Sequence, residues 1–287
     1  MGHRAAADDG AADGPTPFDL GERRAWAGRA AAYEAGFGRL CAHTVPLLLD
    51  AAGVRAGSAL LDVGCGTGAV TARALARGAR VTAVDAEADM VRRTAAVAGP
   101  AGGAEVHRAA LPRLPFPDGA FDTVAGNFVL NHVGRPRAAL AELCRVVRPG
   151  GRIALTLWAV PAAPGQALLG RAVAAAGVAR PAGFPALAPE DDFPRDVPGV
   201  AGLLRGAGLT GVACRSVIWN HRATPEEWWR GPAAGVATIG QTVISQGPEV
   251  ADRIARHFRR LAIPFTGPDG RLVLPHRALL ALGVVPG

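Results

Sequence analysis

Residues 58–68 read Ser-Ala-Leu-Leu-Asp-Val-Gly-Cys-Gly-Thr-Gly, and a helix-forming stretch follows at 69–77. The apolar run before Asp62 predicts a buried strand, and the alternating glycines Gly64, Gly66 and Gly68 predict a turn into a helix N-terminus. Glycine lets a ligand approach the main chain closely, and the N–H groups at a helix start attract polar or anionic ligand atoms. Asp62 at the strand tip repels a pyrophosphate and favours a cation or an ammonium group. This stretch therefore predicts a site for a charged nucleoside that carries an amino acid.

The glycine spacing also fits a second class of site. Gly64-x-Gly66-x-x-Ala69 matches the dinucleotide fingerprint, and Asp85 follows at a distance suited to binding a ribose. An NAD(P)-dependent oxidoreductase therefore remains open at this point. Asp62, two residues before the first glycine, argues against it because its charge opposes a pyrophosphate.

The composition predicts a globular protein. With 287 residues, 49% of them hydrophobic, the chain can bury a sizeable core in one elaborated domain. No run of about 18 apolar residues is free of Arg, Gly or Pro, so we expect no membrane span. Asp8 and Asp9 interrupt the apolar stretch that a secretory leader would need. We therefore expect a cytoplasmic protein that does not engage a membrane.

The chain contains no lysine, and its net charge of +7 comes from arginines. These arginines are scattered, so a bias towards Ala, Gly and Arg explains the charge, and no nucleic-acid partner is expected. The cysteines Cys41, Cys65, Cys144 and Cys214 show no CxxC spacing. We therefore expect reduced thiols and no metal site.

From residue 58 to 176, predicted strands and helices alternate, which indicates a parallel sheet covered by helices on both faces. Before this part, the apolar spacing over 22–51 predicts one or two amphipathic helices. After it, the proline-rich segment 180–200 predicts an irregular surface lid. The predicted strands are 59–63, 80–85, 104–108, 123–128, 152–158 and 212–219, with an extended stretch at 271–274; the predicted helices are 69–76, 88–98, 137–147, 166–176 and 201–207, with helical parts at 226–230 and 249–261.

Short motifs follow one another in order over residues 58–158. Leu-Asp-Val-Gly-Cys-Gly-Thr-Gly (61–68) and Val-Thr-Ala-Val-Asp (81–85) come first. Leu-Pro-Phe-Pro-Asp-Gly-Ala-Phe-Asp (114–122), Asn-Phe-Val-Leu-Asn-His-Val (127–133) and Arg-Pro-Gly-Gly (148–151) follow. This linked series resembles the class I S-adenosylmethionine-dependent methyltransferases, in the small-molecule branch known as methyltransferase type 11 (UbiE-like).

The resemblance implies an α/β fold with a Rossmann-like, seven-stranded, mostly parallel sheet. Helices would cover both faces, and the last strand, which would be 271–274 and its continuation, would run antiparallel. Helical additions would cover the substrate.

The domain organisation combines this resemblance with composition. Residues 1–17 are rich in Ala, Asp, Gly and Pro, and we expect a disordered N-terminal tail. The rest, 18–287, is expected to be a single methyltransferase domain. Its expected parts are N-terminal helices at 20–50, a cofactor-binding core at 58–158, and substrate-cap segments at 159–200 and 221–270.

The cofactor that the resemblance implies is S-adenosyl-L-methionine, with S-adenosyl-L-homocysteine as product. The glycines Gly64, Gly66 and Gly68 would wrap its methionine part, and Asp85 would accept hydrogen bonds from both ribose hydroxyls. The predicted cofactor-binding residues are Tyr33, Asp62, Gly64, Cys65, Gly66, Gly68, Asp85, Ala86, Met90, Ala110, Leu111 and Asn127.

Several of these residues have a competing interpretation. Met90 would pack on the adenine, or it is a core methionine, and Tyr33 would close over the cofactor, or it is a helix-face aromatic. Asn127 matches a position near the methionine moiety. The family often places an acid just after its third strand to bind the adenine amino group, but Ala110 and Leu111 stand there in this chain. Main-chain groups and apolar contact would then hold the adenine.

The catalytic residue follows less directly from the sequence. Methyl transfer from a sulfonium is an in-line displacement, and a base is needed only where the acceptor must lose a proton. His132 is the candidate catalytic base because it follows the fourth predicted strand, and a histidine that packs beside the cofactor is the alternative. His221 and Glu226 are further candidates.

The predicted partner is a small-molecule methyl acceptor. Trp158, Trp219, Trp228 and Trp229 fall in or beside parts of the chain that match no motif, which suits an apolar or aromatic metabolite of the natural-product type and suits a protein core equally. The chain is expected to be a monomer or a homodimer. A protein that binds the cofactor without transferring methyl, and an RNA methylase, remain open besides the oxidoreductase.

Overall fold

A seven-stranded sheet with helices on both faces forms the centre of the protein, in a computed structural model that describes residues 14–99, 103–179, 181 and 184–287. The strands are β1 (Ala59–Val63), β2 (Arg80–Asp85), β3 (Ala104–Arg108), β4 (Phe121–Asn127), β5 (Val147–Trp158), β6 (Thr210–Ala223) and β7 (Leu272–Val284). The helices are α1 (Pro17–Trp26), α2 (Ala30–Ala35), α3 (Phe37–Cys41), α4 (Val45–Ala51), α5 (Ala69–Ala76), α6 (Ala88–Ala98), α7 (Pro136–Val146), α8 (Leu168–Ala175), α9 (Val197–Gly206), α10 (Pro225–Ala233), α11 (Ala237–Ile244) and α12 (Pro248–Ala262). Short 3-10 turns lie at Ala42–Thr44, Val129–His132 and Ile263–Phe265.

The sheet has the strand order β3-β2-β1-β4-β5-β7-β6. Strands β1 to β5 pair parallel with their neighbours, whereas β7 runs antiparallel to both β5 and β6. The predicted seven-stranded α/β fold with an antiparallel last strand is thus confirmed. The strand order reverses at β1, and ligands of such sheets bind beyond the carboxyl ends of the strands at this point.

Apolar side chains pack on both faces of the sheet, which explains why the central strands β1 and β4 are buried almost throughout. On one face, Leu140 and Leu143 of α7 pack in a cluster with Ile153 of β5. On the other face, Leu48 of α4 and Val70 of α5 pack in a second cluster. Each fully buried leucine or isoleucine contributes about 1.5–3 kcal/mol. These two layers hold the strand ends, and the loops that leave them, in place.

The elements β1, β2, β3, α5 and α6 begin and end at the predicted residues. Other elements differ from the prediction where strand pairing with a distant segment, or a helix cap, moves their first residue. Strand β5 begins at Val147 instead of residue 152 because Val147 pairs with Phe121 before the register shifts. Helix α9 begins at Val197 instead of residue 201, since Asp196 caps it by accepting the N–H of Gly199. The predicted lid, 180–200, therefore ends earlier than expected, and its residues 180, 182 and 183 lie outside the described residues.

Strand β7 extends far beyond the stretch predicted at 271–274. The sequence did not predict this extension because Pro275 lies within it, and proline lacks the N–H group that a central strand needs. In the structure, Pro275 lies opposite Asn220 of β6, and the pairing of β7 with β5 reaches only Ala278, opposite Trp158. The proline is therefore tolerated because it lies beyond the end of β5.

The N-terminal part forms the four helices α1 to α4, where the sequence predicted one or two over 22–51. Gly28, with φ of +70°, lies between α1 and α2 in a conformation that favours glycine. Helix α1 begins at Pro17, and the Thr16 hydroxyl caps it by accepting the N–H of Asp19. The predicted tail boundary at residue 17 was therefore wrong, and the tail residues 1–13 lie outside the described residues.

A further helical layer lies beyond the carboxyl ends of β5 and β6. Apolar side chains of α8, α10, α11 and α12 form one cluster there with Leu40 of α3 and Leu274 of β7. This layer includes parts of both predicted substrate-cap segments. Within the part of the chain that the structure describes, no helix is long and apolar enough to cross a lipid bilayer.

Candidate active site

A cavity of about 500 Å³ lies along the carboxyl edge of the sheet, a size typical of ligand sites. Helices α1, α2, α3, α8, α10 and α11 contribute residues to its walls. We call the part formed by Gly64, Asp85 and Ala110, after strands β1, β2 and β3, the β2 end. We call the opposite part of the cavity the β7 end. It is formed by Trp158 of β5, Trp228 of α10 and His276 of β7. In the strand order, β5 and β7 lie on the other side of β1 from β2 and β3.

The glycine turn after β1 forms one wall of the β2 end. Gly64 and Gly66 have φ of +67° and +55°, a left-handed conformation that favours glycine. A Cβ atom on Gly64 would lie 2.5 Å from Cγ2 of Val129, so this turn packs directly against the loop after β4. A Cβ on Gly66 would lie 3.5 Å from Tyr33, in the space between the turn and α2. The turn therefore presents bare main chain to a ligand.

Asp85 lies at the carboxyl end of β2 and lines the cavity. Its Oδ2 accepts the N–H of Gly66 and its Oδ1 accepts the N–H of Glu87, each at 2.9 Å. Burial raises the pKa of Asp85, and the two N–H groups oppose that rise. Since each oxygen keeps a further lone pair, the oriented carboxyl can accept two hydroxyl donors side by side.

Three residues predicted to contact the cofactor lie behind the turn. Asp62 is 0% exposed, and the residues that line the cavity do not include Asp62, Cys65 or Gly68. The Thr71 hydroxyl donates to Oδ2 of Asp62 at 2.6 Å, while its Oδ1 has no hydrogen-bond partner among the described residues. Burial raises the pKa of Asp62 to about 7 and also raises that of Cys65. Gly68, at φ of +89°, is the N-cap residue that precedes helix α5.

An apolar slot adjoins Asp85 at the β2 end. Ala86, Met90, Ala110 and Leu111 all line the cavity, and Met90 is buried in the first turn of α6. The main chain of Ala110 forms a bridge with Arg113, which shapes this wall. The slot is suited to a flat apolar ring, with main-chain groups at its edge.

Tyr33 of α2 lines the cavity opposite the glycine turn. Its ring lies edge-on to that of Trp26, with centroids 5.4 Å apart. Burial raises the pKa of Tyr33, with Cys41 as a further cause, so its hydroxyl stays protonated.

The side chain of Asn127 is largely used within the protein. Its Oδ1 accepts the hydroxyls of Thr44 and Thr156 at 2.7 and 2.6 Å, and its Nδ2 donates to the carbonyl of Cys41 at 3.0 Å. Only one N–H of the amide is left for a ligand. Asn127 lines the cavity, but these contacts give it a structural role that the sequence did not indicate.

His132 lines the cavity at the end of the 3-10 turn after β4. Its Nδ1 lies 2.7 Å from Oε2 of Glu22, and the same oxygen accepts the indole N–H of Trp26 at 3.2 Å. With the Glu22 carboxylate as acceptor, Nδ1 carries the proton and Nε2 can accept one. Glu22 was not identified from the sequence. The only feature in the sequence that could have indicated it is its spacing of four residues from Trp26, which places both on one helix face.

The β7 end contains residues that sequence reasoning also missed. Besides Trp158 and Trp228, Phe37, Leu169 and Ile239 line it. His276 joins them, and burial lowers the pKa of His276 to about 4, so its ring is neutral at pH 7. Of the other catalytic candidates, His221 is buried against Trp228 and Glu226 is exposed, and neither is among the residues that line the cavity.

Comparison with known proteins agrees with this geometry. A family model described as a methyltransferase domain matches residues 61–155. Demethylmenaquinone methyltransferase from Beutenbergia cavernae is 37% identical over 194 residues, which cover 61% of this chain and 77% of that protein. An uncharacterized protein from Mycobacterium tuberculosis is 34% identical over 168 residues, which cover 58% of this chain and 59% of that protein.

Solved structures share the fold. A putative methyltransferase from Bacillus halodurans superposes with a TM-score of 0.52 at 20% identity, covering 85% of this chain and 99% of that chain. Phospholethanolamine N-methyltransferase 2 from Haemonchus contortus, solved with S-adenosylhomocysteine, superposes with a TM-score of 0.53 at 15% identity, covering 85% of this chain and 53% of that chain.

The fold, the glycine turn and the sequence relationship together show that the chain belongs to the class I S-adenosylmethionine-dependent methyltransferases. Within that class it is an enzyme of the small-molecule, type 11 (UbiE-like) branch, and its cofactor is S-adenosylmethionine. The nicotinamide alternative is thereby excluded. The β2 end fits this cofactor, because bare main chain, an oriented carboxyl and an apolar slot lie side by side there.

Proposed function

We propose that this enzyme transfers a methyl group by in-line displacement to a small, apolar or aromatic molecule of the natural-product type. The observation that carries the proposal is the division of the cavity. Its charged lining residues belong to α1 or lie at and after the end of β2, as Glu22 and Asp85 do, whereas uncharged aromatic and apolar side chains form the β7 end. The similarity to an enzyme named for demethylmenaquinone supports a small acceptor.

We also propose specific cofactor contacts at the β2 end. Gly64 and Gly66 would hold the methionine part through main chain, Asp85 would accept the ribose hydroxyls, and Met90 and Leu111 would pack on the adenine. When bound, the cofactor supplies the methyl group on a positively charged sulfur that is already activated for transfer. The remaining task of the protein is to hold the acceptor in line and to exclude water.

His132 is proposed as the base where the acceptor must lose a proton. Glu22 holds Nδ1, so Nε2 is the atom that accepts the proton. The Trp26 ring lies edge-on to the imidazole of His132, with centroids 5.2 Å apart, and restricts its orientation. The indole N–H of Trp26 also donates a hydrogen bond to Glu22. The resulting imidazolium would be stabilised by the Glu22 carboxylate, as a carboxylate does for histidine in other enzymes.

The test measures transfer of labelled methyl to a panel of phenols, hydroxyquinones and amines, with calorimetric affinity for S-adenosylhomocysteine alongside. We expect His132→Gln to lower kcat by about 10²–10⁴-fold, the usual contribution of a general base. Glu22→Gln should lower kcat to a smaller extent. Glu34→Gln is the matched control, because Glu34 is an exposed glutamate that pairs with Arg93.

The outcomes separate the two roles of His132. Reduced kcat with unchanged affinity for S-adenosylhomocysteine supports a base. Unchanged kcat would show that the histidine only packs beside the cofactor, and loss of affinity would place it in cofactor binding. Absence of methyl transfer to every member of the panel would count against the proposed acceptor class.

The domain organisation is likewise proposed as a single methyltransferase domain that begins with α1. The sheet and the helical layer support this, because β6 and β7 join the one sheet, and the helical layer packs against Leu40 of α3 and Leu274 of β7. The residues of α8, α10 and α11 that line the cavity support a substrate-covering role for parts of 159–200 and 221–270. A monomeric or homodimeric state and a cytoplasmic location stay predictions.

A further inference from the structure

The β7 end adjoins a cluster of aromatic rings, several of which are stacked. Phe128 and Trp158 stack with centroids 4.1 Å apart and planes at 21°. Trp158 and Trp219 lie 5.9 Å apart at 26°, and Trp219 and His276 lie 5.8 Å apart at 27°. Three of these rings, those of Phe128, Trp158 and His276, line the cavity. Of the rings in the cavity wall, Phe128 and Trp158 are stacked, whereas the planes of Trp158 and His276 are tilted by 53°. Aromatic walls of this kind favour a ligand with an aromatic ring.

The sheet register explains this arrangement. Trp219 of β6 lies directly opposite His276 of β7, so both side chains project from the same face of the sheet. Trp158 lies opposite Ala278, two residues along β7, and therefore on that face as well. Trp228 of α10 closes the group edge-on, 5.5 Å from His276. These rings are held by strands and a helix, which keeps their spacing constant.

His276 brings a hydrogen-bonding atom into these apolar surroundings. The side chain is 1% exposed, and Nδ1 donates to the carbonyl of Leu274 at 2.8 Å. This bond leaves the lone pair on Nε2, and no hydrogen bond from the described residues reaches that atom. Burial and the nearby His221 lower the pKa of His276, which keeps Nε2 an acceptor at neutral pH. Because His276 lines the cavity, an acceptor at Nε2 favours a ligand that supplies a hydrogen-bond donor.

The electrostatics exclude a charged ligand group at this position. The side chains that line the β7 end are aromatic, aliphatic or uncharged, as Trp158, Leu169 and Gln166 are. An ion buried there would have no partner of opposite charge, which strongly disfavours its binding. A neutral donor, such as a hydroxyl on a ring, meets the requirements of both Nε2 and the aromatic walls.

We propose that the β7 end binds a planar aromatic ring bearing a hydroxyl group, and that this hydroxyl donates to Nε2 of His276. His276 is thus a specificity-determining residue that selects phenolic acceptors and orients them in the cavity. This inference rests on the proposed function, because it assigns the β7 end to the methyl acceptor.

The test compares binding of 2-naphthol and 2-methoxynaphthalene, which differ in the hydroxyl donor, to protein saturated with S-adenosylhomocysteine. Equilibrium dialysis should show that the wild type binds 2-naphthol about tenfold more tightly, as loss of one buried hydrogen bond implies. His276→Phe keeps a ring in place and should bind both compounds equally, whereas His276→Gln, which retains an acceptor oxygen, should recover part of the preference. His257→Phe, on α12, is the control and should behave as the wild type.

Equal affinity of the wild-type protein for the two compounds would overturn the proposal without any variant. A preference that persists in His276→Phe would overturn it too, as would the failure of both naphthalenes to bind while S-adenosylhomocysteine binds normally. The panel of acceptors with His132→Gln tests the proposed function separately. Methyl transfer to a non-phenolic acceptor, combined with equal naphthalene affinities, would leave that function standing and remove only the role of His276.

Discussion

Replacement of Asp62 by asparagine tests how ionisation of this buried carboxyl, which lies behind the glycine turn, affects the stability of the fold. Asp62 is 0% exposed, and only its Oδ2 has a partner, the Thr71 hydroxyl, among the described residues. Asparagine has nearly the same shape and can still accept that hydroxyl, but it cannot carry a charge. The variant therefore removes the ionisation of a buried group and adds an amide NH2, whose cost is independent of pH, so the pH dependence of the stability difference isolates the ionisation.

The magnitude follows from the pKa of Asp62, which burial raises from 3.8 to about 7. This difference of about three units corresponds to about 4 kcal/mol, since each unit is worth about 1.4 kcal/mol. Below about pH 4, both the folded and the unfolded protein keep the proton, and the penalty is absent. As the pH rises from about 4 to about 7, the unfolded chain releases the proton while the folded protein retains it, so the wild type loses stability. Above about pH 7 the full penalty remains.

We therefore expect Asp62→Asn to equal the wild type within about 1 kcal/mol at about pH 4 and to exceed it by about 2–4 kcal/mol at about pH 8. The measurement is urea unfolding of the cofactor-free protein followed by circular dichroism at several pH values. Asp122→Asn is the control of opposite sign, because Arg148 lowers the pKa of Asp122 and its carboxylate therefore stabilises the fold at higher pH. A stability difference that does not change with pH, or an Asp62→Asn protein that is less stable at about pH 8, would refute the reasoning.

Two further predictions concern the turn and the ribose site. Gly64→Ala should cost about 1–2 kcal/mol of folding stability for its left-handed backbone plus about 1–3 kcal/mol for crowding against Val129, measured by thermal or urea unfolding. Gly57→Ala, which has a similar φ of +80° and open space around it, should show the backbone cost alone, and equal losses in the two variants would contradict the crowding. Asp85→Ala should weaken S-adenosylhomocysteine binding by about 1–3 kcal/mol in calorimetry, because the ribose hydroxyls lose their acceptors. Asp118→Ala, at an exposed ion pair with Arg145, serves as its control, and unchanged affinity in Asp85→Ala would show that the ribose lies elsewhere.

Much of the fold could be predicted where local signals agree with tertiary structure. Strand β1 is apolar except for Asp62 and is followed by the glycine turn, and helix α5 begins at Ala69, as the pattern indicated. Strand β7 shows the limit. Its central proline argues against a strand, and only the absence of a β5 neighbour beyond Ala278 makes Pro275 acceptable. The end of β5 opposite Ala278 is known only once the sheet has formed, so the sequence could not predict it.

The candidate site divides in the same way. Asp85 and the glycine turn belong to adjacent parallel strands, so their meeting at the sheet edge followed from the βα pattern. The contact between His132 and Glu22 joins residues 110 positions apart in the sequence. No periodicity reports such a contact, because the packing of α1 against the turn after β4 creates it.

The sequence by itself determined the class of fold, the bare main-chain turn and the acidic residue at the end of β2, since these depend on residues close together in the chain. Only the tertiary structure decided that Asp62 lies behind the turn, that Glu22 holds His132, and that His276 stands among tryptophans. The physical reason is that burial, pKa and hydrogen-bond partners depend on neighbours from distant segments. Those neighbours exist only once the helices have packed over the carboxyl edge of the sheet.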